Sequence, residues 1–556
     1  MNADAPAAAA RPTAWTSWAA AIVCALVLAT AGIGSHSIWT PDEPTGAAVG
    51  KAMWTSGDLV TPRLNGQPFL EKPPLYWWVQ TAAFQLFGAT DWTARLPSAL
   101  FTALTLLVTY ALARRLGGAR QGLLALLVLW TTVQFCDDMG RIVVDPALVL
   151  FVALAHFGFA ILEQRDQNEA FPATTLVAFA LPLAFLAKGI VGIGLAAAPP
   201  ALYLLATERT TAFRRLVPIA ALALPLCVLF VAPWLLALYH EGGMAAVREN
   251  LIGNTLGRTL PTAAGVAYGH RNPAWYYLTS GVPALLPWLV ALPAMLRGGL
   301  RGPRRLLFWT FALGVLLLSL PASKRTLYLV PLLPALAVCL AAWLDGLGER
   351  DGDRWDRRTG LALLGLAALV SLALAAVALG GRSLSPTNLA PLFARLSASG
   401  LVAFGVALLA VGLSILALLV HTLRVRGTPR AAWIVAPYLL LFLIFQTAGK
   451  ALVDPLKDLH PLTAAIARLV PPPRPIVAYR PSESLLGIVG FDLNRTTMPL
   501  LTPEALEGYV ASHPDALLVV ALDDWQKLPS ELRARFRPLY DETGFKASPY
   551  AVMAAR

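Results

Sequence analysis

The stretch "WTPDEPTGAAVGKAMWTSGDLVTPRLNGQPFLEKPPLYWW", residues 39–78, breaks into an otherwise apolar chain. It gathers Asp42, Glu43, Lys51, Asp58, Arg63, Glu71 and Lys72 directly after the first long apolar run. The whole chain has 556 residues, of which 57% are hydrophobic and 14% charged, with a mean hydropathy of +0.62. Soluble proteins carry about 25% charged residues. The chain therefore reads as a polytopic α-helical membrane protein, and the usual residues-per-domain prior does not apply to its spans. Charges at a membrane boundary are costly unless paired or hydrated, so residues 39–78 read as a functional loop.

Outward from that loop, a spanning helix needs about 20 mostly apolar residues. About thirteen runs qualify, near 15–37, 93–113, 120–136, 142–162, 171–187, 189–207, 216–239, 279–297, 305–321, 326–344, 360–380, 398–422 and 431–448. Lys188-Gly189 divides one long apolar stretch into the fifth and sixth. With the N-terminus in the cytoplasm, the inner loops "ARRLGGAR", "TERTTAFRR", "RGGLRGPRR", "GERDGDRWDRR" and "HTLRVRGTPR" are all arginine-rich, as the positive-inside rule requires. Arg11 precedes the first run without a small-residue cleavage site, which reads as an uncleaved span. After residue 448 the pattern changes. "RPIVAYRP" and "DALLVVALDD" read as buried strands, and "TPEALEGYVASHP" as a helix with a Thr cap and proline at its first position. The expected division is a transmembrane unit, 1–448, with outer loops 38–92 and 240–278, and a small α/β domain, 449–556, on the outer face.

The net charge of +12 follows from the basic inner loops. No basic patch interleaved with aromatics suggests nucleic acid. Cys24, Cys136, Cys227 and Cys339 lie in or beside apolar runs without close spacing, which gives neither a metal-ligand pair nor a disulfide framework.

The outer loops hold the candidate chemistry. Asp42-Glu43 can cap the following helix, accept a proton, or meet a cation or sugar hydroxyl. Glu71-Lys72 precedes two prolines that keep the backbone extended, then Tyr76, Trp77 and Trp78. These aromatics predict a helix lying flat at the lipid boundary, with Lys72 at headgroup depth, where an ammonium can hold a lipid phosphate or simply snorkel. "DDMGRIVVDP" adds Asp137, Asp138, Arg141 and Asp145. A local i,i+4 pair between Arg141 and Asp145 competes with a second functional carboxylate. "SKRTLY" puts Lys324, Arg325 and Tyr328 at an outer helix start, against the positive-inside trend, which suggests an anionic ligand or headgroup anchoring. Arg248, Arg258 and Arg271 in the 240–278 loop again suggest an anion. His270 there can be acid–base, metal ligand or neither.

In this order, these pieces resemble the bacterial aminoarabinose lipid A transferase family and the wider polyprenyl-phosphate-sugar glycosyltransferases related to protein O-mannosyltransferases. The resemblance rests on "PDEP", "SGDLVTPRLNGQPFLEKPPLYWW", "DWTARLPSAL", "LAKG", "GHRNPAWYYL" and "PASKRTLYLVPLLP". It implies the C-type glycosyltransferase fold in a bacterial inner membrane, with the reacting site and C-terminal domain periplasmic. It implies an undecaprenyl-phosphate-sugar donor, with lipid A, a protein or a glycan as acceptor. It implies catalytic roles for Asp42, Glu43 and Asp145. Lys72, Arg258, Lys324, Arg325 and Tyr328 match donor-phosphate positions, and Glu71 and His270 suit a divalent metal cation or polar substrate contact. Family members often continue the acidic motif as Asp-Glu-x-Arg-Tyr, where this chain has Thr45 and Gly46.

The expected reaction is one inverting displacement at the anomeric carbon, with polyprenyl phosphate leaving and clustered cations stabilising its charge. A lipid or sugar transporter would need midplane charges or repeated halves. Here the charges concentrate at one face and no halves repeat.

Overall fold

The computed structural model describes residues 14–164, 166–253, 271–348, 353–384, 396–425, 428–541 and 549–556. Helices dominate. They are α1 (Ala14–Thr30), α2 (Glu43–Ser56), α3 (Leu75–Phe87), α4 (Asp91–Gly117), α5 (Ala119–Trp130), α6 (Val133–Asp138), α7 (Asp145–Glu163), α8 (Gln167–Lys188), α9 (Ile190–Glu208) and α10 (Phe213–Arg248). There follow α11 (Pro303–Ser319), α12 (Leu333–Asp345), α13 (Arg354–Leu384), α14 (Ala398–Val425), α15 (Ala431–Ile444), α16 (His460–Leu469), α17 (Glu483–Leu493) and α18 (Pro503–Ser512), with shorter turns between.

Among the described residues, eight helical runs are long and apolar enough to cross a membrane; one of them, Ile190–Gly253, contains both α9 and α10. Ala119–Trp130 is a shorter apolar helix, and its expected continuation to 136 is broken at Thr131-Thr132 before α6. The expected run at 279–297 is a chain of short turns, Tyr276–Thr279, Gly281–Ala284, Trp288–Ala291 and Leu292–Arg297. Pro283, Pro287 and Pro293 remove backbone donors there and prevent one continuous helix.

The centre of the bundle is α7, buried from Asp145 to Leu162 on nearly every face. A helix apolar all round belongs inside, and α7 packs against α4, α8 and α9. The wholly apolar α12 fills the same role beside α5 and α11. At the periphery α13 and α14 pair closely. A Cβ on Gly405 would meet Leu379 Cγ at 2.6 Å, and one on Gly412 would meet Leu372 Cδ2 at 2.7 Å, so small residues set this approach.

The C-terminal segment folds around a five-stranded sheet, order β4-β3-β5-β7-β6. The strands are β3 (Ile476–Tyr479), β4 (Thr497–Leu500), β5 (Leu517–Ala521), β6 (Phe536–Asp541) and β7 (Tyr550–Ala555), after a two-stranded hairpin of β1 (Arg63–Leu64) and β2 (Gln67–Pro68). β3 pairs in parallel with β4 and β5, while β7 pairs antiparallel with β5 and β6. This sheet unit sits directly on the segment that follows α1. α17 packs on α2 so tightly that a Cβ on Gly487 would meet Pro44 C and O at 2.5 Å.

The aromatic helix departs from expectation. Tyr76 and Trp77 of α3 are buried in the protein core, not laid against lipid. Tyr76 Oη shares a 2.8 Å hydrogen bond with Ser98 Oγ of α4, and Ser98 donates on to Arg141 O at 2.6 Å. Tyr76 thus ties the segment before α4 to the one before α7.

Candidate active site

Helix ends assemble the site. Asp42 is the N-cap of α2, but its carboxylate makes no cap hydrogen bond. It receives Arg325 instead, with Nη2 to Oδ2 at 2.7 Å and Nη1 to Oδ1 at 3.3 Å, and Arg141 Nη2 at 3.4 Å. Asp145 opens α7, where an acid suits the positive end of the helix dipole. Lys188 closes α8, where a cation suits the negative end, and Gly189 stops the helix at φ +64°. The two meet with Lys188 Nζ 2.5 Å from Asp145 Oδ1. Lys188 Nζ also lies 4.7 Å from the centre of the Tyr328 ring, a cation–π contact. Lys72 Nζ lies 3.2 Å from Glu71 Oε2.

These pairs surround a polar cavity of about 320 Å³, whose walls include Asp42, Glu71, Lys72, Asp145, Lys188, Arg325 and Tyr328. A second, mainly apolar cavity of about 110 Å³ adjoins it, walled by Leu148, Val191, Leu195, Leu318 and Pro331. Glu71, Lys72, Lys188 and Tyr328 line both. Two carboxylate–cation pairs, Glu71–Lys72 and Asp145–Lys188, therefore stand where a polar chamber meets an apolar one, while Asp42–Arg325 lines the polar chamber alone. Glu483, at the first turn of α17, completes the polar wall from the sheet unit. Ser484 Oγ beside it donates to Pro41 O at 2.8 Å.

Glu43 is not at the reacting position its sequence neighbourhood suggested. Its side chain is 0% exposed and does not line the cavity. Arg95, also 0% exposed, grips it with Nε to Oε1 at 2.9 Å and Nη2 to Oε2 at 2.7 Å. The backbone N–H groups of Trp39 and Ile142 donate to the same carboxylate at 2.8 and 3.2 Å. Arg95 spends its remaining donors on the carbonyls of His36 and Ser37. Burial pushes the Glu43 carboxyl up, but the Arg95 charge and hydrogen bonds overcome it and hold the group well below the usual carboxylate range. A saturated, enclosed carboxylate has no capacity to take a substrate proton.

Other expectations shift as well. Lys324 is 2% exposed, and its ammonium donates to the carbonyls of Asn272, at 2.9 Å, and Pro321, at 2.5 Å. It lines neither cavity, because local carbonyls already solvate its charge. The local Arg141–Asp145 pair does not form. Asp145 turns to Lys188, while Arg141 reaches Asp138 at 3.3 Å and Asp42. Burial, with Asp137 beside it, pushes the Asp138 carboxyl up to about 7. Arg258 and His270 lie outside the described residues. Among the described residues no group of three His, Cys, Asp or Glu side chains stands close enough to hold a metal ion. Glu71, the described half of the expected metal contact, is paired with Lys72.

Lys188, Arg95 and Glu483 were not singled out by the sequence reading. A lone lysine interrupting a long apolar stretch is a signal for the first. Gly46, where the resemblance leads one to expect tyrosine, allows a close approach, since a Cβ there would lie 2.7 Å from Ile142 O. The backbone at Ile142 occupies the space a larger residue would need.

The family model described as dolichyl-phosphate-mannose-protein mannosyltransferase matches residues 71–236. An undecaprenyl phosphate-alpha-4-amino-4-deoxy-L-arabinose arabinosyl transferase of Pectobacterium atrosepticum is 30% identical over 318 residues, 56% of this chain and 56% of its own length. Its namesake in Pectobacterium carotovorum is 29% identical over 325 residues, 57% of each chain. The matches thus span a little over half the length of these relatives. The crystal structure of ArnT from Cupriavidus metallidurans bound to undecaprenyl phosphate superposes with a TM-score of 0.75 at 22% identity, over 97% of this chain and 98% of that one. The archaeal oligosaccharyltransferase AglB from Archaeoglobus fulgidus gives 0.52 at 12% identity, over 92% and 70%. The chain has the fold of these solved structures, and its sequence resembles the aminoarabinose transferases over a little over half its length and the mannosyltransferase family model over residues 71–236.

Proposed function

We propose that this chain transfers a sugar from undecaprenyl phosphate to an acceptor on the outer face of a bacterial inner membrane, with aminoarabinose as the sugar and lipid A as the acceptor. The observation that carries this is the junction of the two cavities. A polyprenyl-phosphate sugar has an apolar tail, a phosphate and a polar ring in that order. The apolar chamber, the cations Lys72 and Lys188 with Tyr328, and the carboxylate-lined chamber repeat that order.

Each cation is held by a carboxylate, Arg325 by Asp42, Lys188 by Asp145 and Lys72 by Glu71. Donor phosphate competes for Arg325, Lys188 and Lys72 and loosens Asp42, Asp145 and Glu71. The bond between the anomeric carbon and the phosphate oxygen breaks as the acceptor oxygen bonds to that carbon from the opposite face. The leaving phosphate takes the electron pair, and the cations stabilise its growing charge. For a hydroxyl acceptor, Asp42, released from Arg325, takes the proton. For a phosphate acceptor the nucleophile is already anionic, and Asp42 orients it. Arg258 supports the phosphate in the same scheme. No step is routed through a metal, because the described donors do not complete a set. The proposed topology has about thirteen spans, a cytoplasmic N-terminus and a periplasmic sheet unit from residue 449, which supplies Glu483 to the cavity.

The test is transfer by the reconstituted full chain, from undecaprenyl-phosphate-aminoarabinose to lipid A, read by mass spectrometry. One added aminopentose is expected in wild type and none in Asp42→Asn or Lys72→Ala at normal expression. Full activity in both variants would overturn the assignment. A different sugar accepted in its place would move the reading to another polyprenyl-linked donor.

A further inference from the structure

Two walls of the polar chamber carry hydrogen-bonding atoms that are left unsatisfied. Thr45, in the first turn of α2, and Trp77, in the first turn of α3, are 8% and 2% exposed, and both line this chamber. Among the described residues neither Thr45 Oγ1 nor Trp77 Nε1 has a hydrogen-bond partner. Buried polar groups are almost always paired, and leaving one unpaired costs stability. The local chain explains the first case. Thr30, Thr55, Thr105, Thr109 and Thr207 donate to the carbonyl four residues back. For Thr45 that carbonyl belongs to Pro41, ahead of the helix, and it accepts from Ser484 Oγ at 2.8 Å. The Trp77 ring is set edge-on to Phe69, with centroids 6.1 Å apart, and an indole N–H can only donate.

We propose that Thr45 Oγ1 and Trp77 Nε1 bind hydroxyl groups of the transferring sugar and so help set which sugar the chain accepts. The proposal rests on the transfer reading above and names the groups that read the ring. Position separates them from the phosphate. In that reading Lys72 and Lys188, which line both chambers, mark the phosphate end, whereas Thr45 and Trp77 line the polar chamber alone. Chemistry points to hydroxyls. Both groups are neutral, the indole N–H donates to a hydroxyl oxygen, and the threonine hydroxyl donates or accepts. Threonine in a helix divides between two χ1 positions, so its hydroxyl can turn to a ligand in the chamber. The sequence points the same way. Where the resemblance leads one to expect arginine and tyrosine, residue 45 offers a neutral hydroxyl. Residue 46 is a glycine whose Cβ would meet Ile142 O at 2.7 Å. A neutral contact thus stands where a charged one is expected. A sugar with matching hydroxyls supplies partners that the folded chain withholds, whereas one lacking them leaves buried polar groups unpaired.

The experiment measures binding to the full chain in phosphatidylcholine nanodiscs. The probes are undecaprenyl-phosphate-aminoarabinose, its 2-deoxy and 3-deoxy forms, and undecaprenyl phosphate without a sugar. Thr45→Val and Trp77→Phe should each weaken the full donor about three- to tenfold, the worth of one hydrogen bond. Binding of undecaprenyl phosphate should not change. One deoxy donor should bind wild type more weakly by the same factor and lose nothing further in Thr45→Val, which pairs that hydroxyl with Thr45. Thr45→Ser, which keeps the hydroxyl, should recover most of the affinity. Unchanged donor binding in either variant, or an equal loss with undecaprenyl phosphate, overturns the proposal. Independent, additive losses from Thr45→Val and from both deoxy donors overturn it too. Thr45→Val removes no hydrogen bond from the unliganded protein, so its thermal midpoint should not fall. A lower midpoint would mark a packing role and sink the proposal, and Thr45→Val decides alone if Trp77→Phe does not fold. The expected binding pattern without transfer in wild type would sink the catalytic reading and keep the sugar contact. Transfer with wild-type donor binding in Thr45→Val would do the reverse.

Discussion

At the scale of single residues, adjacent acids have opposite fates. Asp42 stays in the cavity in contact with two guanidinium groups, while Glu43, one residue on, is sealed against Arg95. The sealed acid is what frames the open one. Through Glu43, the chain before α2, the start of α4 and the backbone at Ile142 are held together. Asp42 and Arg141 each adjoin one of those anchor points. Removing one partner of a buried ion pair leaves an uncompensated charge and costs about 3–5 kcal/mol. Glu43→Gln and Arg95→Met should each destabilise the purified protein by that order, read as a lower thermal midpoint. In the folded fraction kcat should fall while donor KM changes little, since Lys72, Lys188 and Arg325 remain in place. A fall in donor KM affinity equal to the fall in kcat would show that Glu43 contacts the donor instead. From sequence the pair Asp-Glu offered no way to tell the two acids apart, because the distinction is made by Arg95, 52 residues away.

At the scale of elements, the site is made where helices begin and end. Asp145 starts α7 and Lys188 ends α8, two helices that pack along one another. Each side chain sits where its helix dipole favours its charge. Both are largely buried, Asp145 at 6% and Lys188 at 11% side-chain exposure. Lys188→Met should therefore destabilise by about 3–5 kcal/mol, as expected for an orphaned buried carboxylate. The double variant Lys188→Met/Asp145→Leu should recover most of that loss, because apolar replacement of a whole buried pair is often neutral. Transfer should stay absent in both. Recovery of transfer in the double variant would sink the proposed phosphate role of Lys188. The sequence carried Asp145 legibly, as an acid at a span boundary. It carried Lys188 as a boundary marker and within the LAKG motif but gave it no role, since its partner and the Tyr328 ring come from other elements. Lys324 misled in the opposite direction. Its carbonyl partner at residue 272 lies far off in sequence, so its burial had no local signature. The strands at 476–479 and 517–521 were readable as short apolar runs between turn residues, whereas the way α17 sits on α2 depends on glycine contacts no periodicity reveals.

At the scale of the whole molecule, the sheet unit is joined to the helical bundle by a polar clasp as well as by packing. His460 of α16 stands between two carboxylates, with Nδ1 2.8 Å from Asp492 Oδ2 and Nε2 2.9 Å from Asp91 Oδ2 at the start of α4. Thr463 Oγ1 donates to the same Asp492 oxygen at 2.5 Å. Hydrogen bonds to Asp492 and Asp91 outweigh partial burial and push the imidazole up from 6.5 to about 10. A histidine whose pKa is raised by folding contributes stability fully below the unfolded value, and that contribution is lost as pH rises through the folded one. The clasp should thus hold completely below pH 6.5 and fade toward pH 10. The consequence reaches the cavity, because the unit that His460 fastens also carries Glu483 into its wall. His460→Gln should unfold at a lower temperature than wild type at pH 6.5, and the gap should close as the pH approaches 10. Parallel melting curves across that range would show that the imidazolium does not fasten the unit. A gap that narrows together with a parallel loss of wild-type transfer, with no such pH dependence of transfer in His460→Gln, would tie the clasp to the cavity.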